Sequence, residues 1–359
     1  MNKFLKTAIG MTLFLTSLTH CGNTELAPVG KAAAEQQSTF FTRLNAVTWT
    51  TIEHSGNLTI ESPPGRDPST PLLITEVFPQ LIRDANGPAQ SILPGEAMEA
   101  MQPLRLAASG DIVLESRTHL LVPSSLHLKG HQIFLKEGAT LEVAGDVFIE
   151  SVRYEGHARI VAKGTARDVI KIGWPGDHGA MGKPGAPGPT SYCIGGGSGP
   201  GGAGGNGGDG LSGGRGGDIS LLVRTVSSTD TFITRGGNGG YGGYGGRGGD
   251  GGAGSCCFGY CKDGSPGGDG GNGGNGGNGG NGGDIDINYC TMTGIPSDDT
   301  SAGSGGLPGG GGSGGSPGPT GCSSSGCNVK LNVGTPGTPG LPGNRGWDGN
   351  YRYTRITGC

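Results

Sequence analysis

Glycine stands at every third position through six stretches of this 359-residue chain, each six triplets long: 173–190, 201–218, 236–253, 267–284, 303–320 and 334–351. Such a strict period excludes the α-helix and the alternating strand over these stretches. It matches an extended left-handed helix with three residues per turn, about 3.1 Å of rise per residue and no internal hydrogen bonds. Eighteen residues then form a rod roughly 56 Å long. Its N–H and C=O groups point sideways and must find partners once buried. Neighbouring rods supply them only where no Cβ intervenes, so glycine acts as the packing surface. Triplets with two glycines suit interior rods; the first and last stretches, with one glycine per triplet, suit edges. A flexible linker has no reason to keep phase and length six times over, although 81 glycines and 23 prolines would otherwise read as low-complexity chain. A collagen triple helix fits poorly, because three stretches carry GGX rather than Gly-X-Y triplets.

Repeated GGX and GXY stretches such as GGN-GGY-GGY-GGR-GGD-GGA, joined by short loops, resemble polyglycine-II bundle proteins. These are the snow-flea antifreeze protein and the tail-fibre tip adhesins of T-even-like phages. The resemblance covers about residues 173–351. It implies two stacked layers of antiparallel rods and, by analogy with the adhesins, recognition of a bacterial surface receptor by loops at one end.

The amino terminus reads as a secretory signal over 1–20: Lys3 and Lys6 precede an apolar run from Ala8 to Leu18. That run is shorter than the about 20 residues a spanning helix needs. The string Ser17-Leu18-Thr19-His20-Cys21-Gly22 resembles a bacterial lipobox, apart from His20 where a small residue is usual. Lipidation of Cys21 would anchor the chain, the lack of Asp after Cys21 points to the outer membrane, and 21–38 would be the tether. The alternative is plain secretion.

Without Cys21, eight cysteines remain, an even number suited to an oxidising compartment. If the rods alternate up and down, Cys193, Cys256, Cys257, Cys261, Cys322 and Cys327 fall at one end, the tip. Cys290 and Cys359 fall at the other, the base, where reach alone pairs them. Tyr192, Phe258 and Tyr260 are loop aromatics beside the tip cysteines and are the candidate ligand-binding residues, for a surface glycan or a protein receptor. The same rings could instead cap the open rod ends. Val329, Leu331 and Val333 are a misfit, a strand pattern placed near the tip.

Residues 39–172 read as a β-rich base and 173–359 as the glycine-rich bundle with interleaved strands. Alternating apolar and polar residues mark short strands such as 126–128, 133–135, 141–143 and 147–149, and again between rods at 219–223 and 285–289. Gly-Asp followed by Ile or Val recurs at Gly110, Gly145, Gly217 and Gly283. The expected fold class is all-β plus polyglycine-II: a parallel β-solenoid base, or alternatively a β-sandwich, with a six-rod antiparallel bundle.

Chemistry is sparse. The seven histidines show no metal-ligand spacing and read as surface or turn residues, and no G-x-S-x-G, HExxH or Walker sequence occurs. Asp111, Glu115, Glu142, Asp146 and Glu150 read as a solvated face. A net charge of −4 without a basic run argues against nucleic-acid binding. No enzyme, metal or cofactor is expected. The expected function is structural or adhesive at the cell surface, with a passive spacer or an ice-binding protein as alternatives; for the last, Asn272, Asn275, Asn278 and Asn281 form a ladder at roughly 9.3 Å intervals.

Overall fold

The computed structural model describes residues 39–67, 69–78, 102–164, 198–254, 256–257, 260–261, 263–319, 333–356 and 359. In chain order the strands are β1 Thr50–His54, β2 Leu58–Ile60, β3 Leu72–Leu73, β4 Leu104–Ala108, β5 Ile112–Leu114, β6 His119–Val122, β7 Leu126–Leu135, β8 Thr140–Val143 and β9 Val147–Gly156. They continue as β10 Arg159–Ala162, β11 Ile219–Ser228, β12 Thr231–Ile233, β13 Cys256–Cys257, β14 Tyr260–Cys261, β15 Ile285–Thr293, β16 Ser297–Asp299 and β17 Tyr351–Arg355. One sheet runs β1-β4-β7-β9-β11-β15-β17, with β2 and β5 attached at β7; the second runs β16-β12-β10-β8-β6-β3.

Side chains of like kind stack in register along the first sheet. Leu104, Leu126, Val147, Ile219 and Ile285 form one row; Leu106, Leu128, Ile149, Leu221 and Ile287 form the next. Both rows are buried, and they share one core with Leu120, Leu141, Ile160 and Phe232 of the second sheet. Burying each such side chain contributes about 1.5–3 kcal/mol, so the core lies between the two sheets. At one turn of this core Tyr154 Oη and Ser228 Oγ both donate to Asp230 Oδ2 at 2.6 Å, and the Ala158 N–H donates to Oδ1 at 2.6 Å. Gly156 is required there, since a Cβ would sit 1.8 Å from Asp230 Oδ2.

The outer face of the first sheet is covered by a helix over 39–45. Phe40 and Leu44 pack with Phe148, and Trp49 lies edge-on to Phe148 with ring centroids 5.7 Å apart. Arg43 ties the helix to Asp218 and Asp286.

The glycine stretches are numbered segments one to six in chain order; the described ones lie between the strands, segment six running into β17 at Tyr351, and keep a triplet register of backbone hydrogen bonds. Segment one lies outside the described residues. Segments two, four and six run parallel: Gly204 N–H donates to Asp269, Gly207 to Asn272, Gly270 to Thr335 and Gly273 to Thr338. Segments three and five form a second parallel layer, with Gly239 donating to Ser304 and Gly242 to Leu307. Between the layers the direction reverses, as Gly240 donates to Leu211 while Gly249 donates to Gly202.

These observations correct the expected fold class. The described strands form two parallel sheets with an α/β-like pairing pattern, not an all-β solenoid or sandwich base with antiparallel rods. Every described strand pair is parallel except β13 with β14. Neighbouring glycine segments of one layer are parallel too, because consecutive segments lie in different layers and return to the same layer in the same direction. Alternating hydrophobicity reports a half-buried strand whatever fold it belongs to, so the sequence pattern could not decide the fold class.

Candidate functional site: the segment ends and layer faces

Four segment ends converge at one end of the glycine layers. Gly254 N–H donates to Pro319 at 2.8 Å, Gly318 to Ser265 at 2.9 Å, and Ser198 Oγ lies 2.8 Å from Ser265 Oγ. From this end β13 and β14 project as a hairpin, pairing Cys256 with Cys261 and Cys257 with Tyr260 through the backbone. Tyr260 is the one candidate aromatic whose backbone is described. Tyr192, Phe258, Cys193, Cys322 and Cys327 lie outside the described residues, as do Cys21, Val329 and Leu331. At the opposite end Cys290 of β15 is disulfide-bonded to Cys359, with Cα atoms 6.0 Å apart. The structure therefore separates Cys290 and Cys359 from Cys256, Cys257 and Cys261 by the length of a segment.

Between these ends segment four donates hydrogen bonds to three neighbours. Gly270, Gly273, Gly276, Gly279 and Gly282 donate to segment six, and Gly268, Gly271, Gly274, Gly277 and Gly280 donate to segment three. Towards segment two, side chains accept: Asn272 N–H donates to Asn206 Oδ1 at 2.9 Å and Asn275 N–H to Asp209 Oδ1 at 2.6 Å. The same device recurs one segment on. Asn272, Asn275, Asn278 and Asn281 accept from the N–H groups of Thr338, Leu341, Asn344 and Trp347 at 2.8–2.9 Å, always 66 residues away. This asparagine ladder is thus part of the lateral bonding of the layer. The sequence held the signal as a 66-residue recurrence of Asn or Asp at the third triplet position.

The Gly-Asp strings obey the same rule where segments meet strands. Asp146 N–H donates to Ser125 Oγ, Asp218 N–H to Asp146 Oδ1, Asp284 N–H to Asp218 Oδ1 and Asn350 N–H to Asp284 Oδ1, at 2.7–3.0 Å. Gly145, Gly217, Gly283 and Gly349 precede them because a Cβ would come within 2.0–2.3 Å of the neighbouring chain. Arg215 pairs with Asp218 at 2.7 Å. Burial pushes the Asp146 carboxyl above its ordinary range, as does the Asp218 charge, against the Asp218 N–H, Arg43 and Arg215.

The acidic residues read as a solvated face are in fact engaged. Glu142 lies 2.7 Å from Lys163 and 3.0 Å from His119, and Lys136 pairs with Glu115 at 2.7 Å. Burial raises the Glu150 carboxyl, but His127 and Lys129 outweigh it and hold it at about 2. His127 itself is fully buried beneath Trp49, contrary to the surface reading. Its Nε2 lies 3.4 Å from Glu150 Oε2 without hydrogen-bond alignment, so proximity rather than a bond describes the pair.

Aromatic side chains also stand on the flanks, where sequence reasoning did not place recognition. Trp347 is 80% exposed and Tyr244 62%, the latter facing Gly310 so closely that a Cβ there would meet its ring at 3.2 Å. Among the described residues no group of three or more His, Cys, Asp or Glu is placed to hold a metal ion, and no helix is long and apolar enough to cross a membrane. No protein-family model matches the chain, and no curated protein is significantly similar to it.

Proposed function

We propose that this protein is a bacterial surface lipoprotein, anchored through Cys21, that holds out a rigid polyglycine-II bundle and contacts an external glycan or protein through its tip loops. The observation that carries this reading is the convergence of four segment ends beneath the β13–β14 hairpin. A body whose segments are hydrogen-bonded to one another along their length presents a preorganised end, and groups on a preorganised loop lose little entropy on binding. Tyr192, Phe258 and Tyr260 are the aromatic anchors of that end, the residue type that dominates binding energy at interfaces. The asparagine ladder supports ice binding less well, since its Oδ1 atoms are committed to neighbouring N–H groups.

The test is a Tyr192→Ala, Phe258→Ala, Tyr260→Ala variant of the full chain, measured for melting temperature and for attachment to glycan arrays and outer-membrane material. Retained melting with lost attachment is the expected result. Unchanged attachment by the folded variant would leave a spacer without tip recognition.

A further inference from the structure

The 66-residue register shows what segment six would need in order to bind another segment at its outer side. In segment four the donors to the next segment are Gly270, Gly273, Gly276, Gly279 and Gly282. Their counterparts in segment six are Pro336, Pro339, Pro342, Arg345 and Asp348. Proline has no N–H, so three of these five donors are missing. The acceptors are depleted at four of six places, Asn344 and Asn350 alone keeping a side-chain amide. Asp269, Asn272, Asn275 and Asn281 each cap a neighbour's N–H, whereas Thr335, Thr338, Leu341 and Trp347 stand at the equivalent places without a side-chain carbonyl.

Segment five shows the same loss independently. Asn238 and Asp250 of segment three cap Ser304 and Ser316. Ser304, Leu307, Gly310, Ser313 and Ser316 then offer no amide or carboxylate to a further neighbour, and Pro308 and Pro317 take two of the donor places. Exposed pairing edges recruit other chains unless they are blunted, and proline is a common blunting device.

We infer that segments five and six are terminators, which close both layers against lateral addition of a second copy of this chain. Segment four, which carries the fullest set of donors and Asn or Asp acceptors, lies between segments two and six; segments five and six, which lack part of that set, each stand at one end of a layer among the described residues. The bundle is then limited to its own segments although its surface repeats a pattern that would otherwise propagate.

The experiment restores the pattern in the full chain with Thr338→Asn, Pro339→Gly, Leu341→Asn and Pro342→Gly, and reads mass by size-exclusion chromatography with light scattering. The wild type is expected to run as a monomer and the variant as a concentration-dependent dimer. A folded variant that stays monomeric overturns the inference, and so does a wild type that already associates and is made monomeric by Trp347→Lys. Should the quadruple variant fail to melt cooperatively, binding of a synthetic (Gly-Gly-Asn)₆ peptide to the milder Pro339→Gly, Leu341→Asn variant is read instead. Binding to that variant and not to wild type supports a terminator; equal binding, or none to either, overturns it.

Discussion

Gly274 and Asn278 sit four residues apart in segment four and fail in different ways when replaced. A Cβ on Gly274 would lie 2.0 Å from Gly208 O and 2.5 Å from Gly208 C, both backbone atoms that cannot swing aside. Gly274→Ala must therefore push segments two and four apart within their layer, and overpacking of this kind costs about 1–3 kcal/mol. Gly310→Ala is the control, because its new Cβ would meet only the Tyr244 ring, at 3.2 Å. Asn278→Ala removes the acceptor of the Asn344 N–H, a loss of about 0.5–1.5 kcal/mol. Thermal melts are expected to rank Gly274→Ala lowest, Asn278→Ala slightly below wild type and Gly310→Ala near it. The glycine requirement was legible from the period alone. The asparagine role was not, because an exposed polar residue and one that bonds sideways look alike until the neighbour's register is known.

The helix over 39–45 and Trp49 form an element that the sequence marked only as a cluster of apolar residues, Phe40, Phe41, Leu44, Val47 and Trp49. Its docking buries His127, whose imidazole is held below its ordinary value by burial, partly offset by Glu150 and reinforced by Arg105 and Lys129. The unfolded chain therefore takes up this proton first as pH falls. Stability owed to neutral His127 is complete above its unfolded value of about 6.5 and is lost as pH drops through the lower folded value. Glu150 works in a different window: its depressed value adds stability above about 4.5 that is lost only as pH falls towards about 2. Melting temperature is expected to fall between pH 7 and pH 5, and His127→Phe should flatten that slope. An unchanged slope in the variant would assign the pH dependence elsewhere. An isolated histidine in an alternating strand gives no sign of its burial, since the covering helix comes from some 80 residues upstream.

For the whole molecule, the last strand β17 is held at the edge by one parallel pairing with β15 and by the Cys290–Cys359 bridge, next to segment six with its hydrogen bonds to segments four and five. A bridge closing a loop of this size stabilises by about 2–4 kcal/mol, chiefly through the unfolded chain. Cys359→Ser is expected to lower the melting temperature and to make limited proteolysis start within segment six; a variant that melts and digests like wild type would remove the bridge from the stability account. What the sequence by itself determined is periodic: six equal segments, their glycine faces, the alternating strands and, for the described cysteines, the placing of Cys256, Cys257 and Cys261 at the end away from Cys290 and Cys359. Each follows from local geometry, where a period of three or two fixes which side chains share a face. What only the tertiary structure decided is neighbourhood. The parallel run of glycine segments within each layer, the sideways work of Asn275 and Asn278, and the burial of His127 all depend on which segment lies alongside. A repeating chain offers many equivalent neighbours, and the choice among them is made by hydrogen bonds between residues 66 apart.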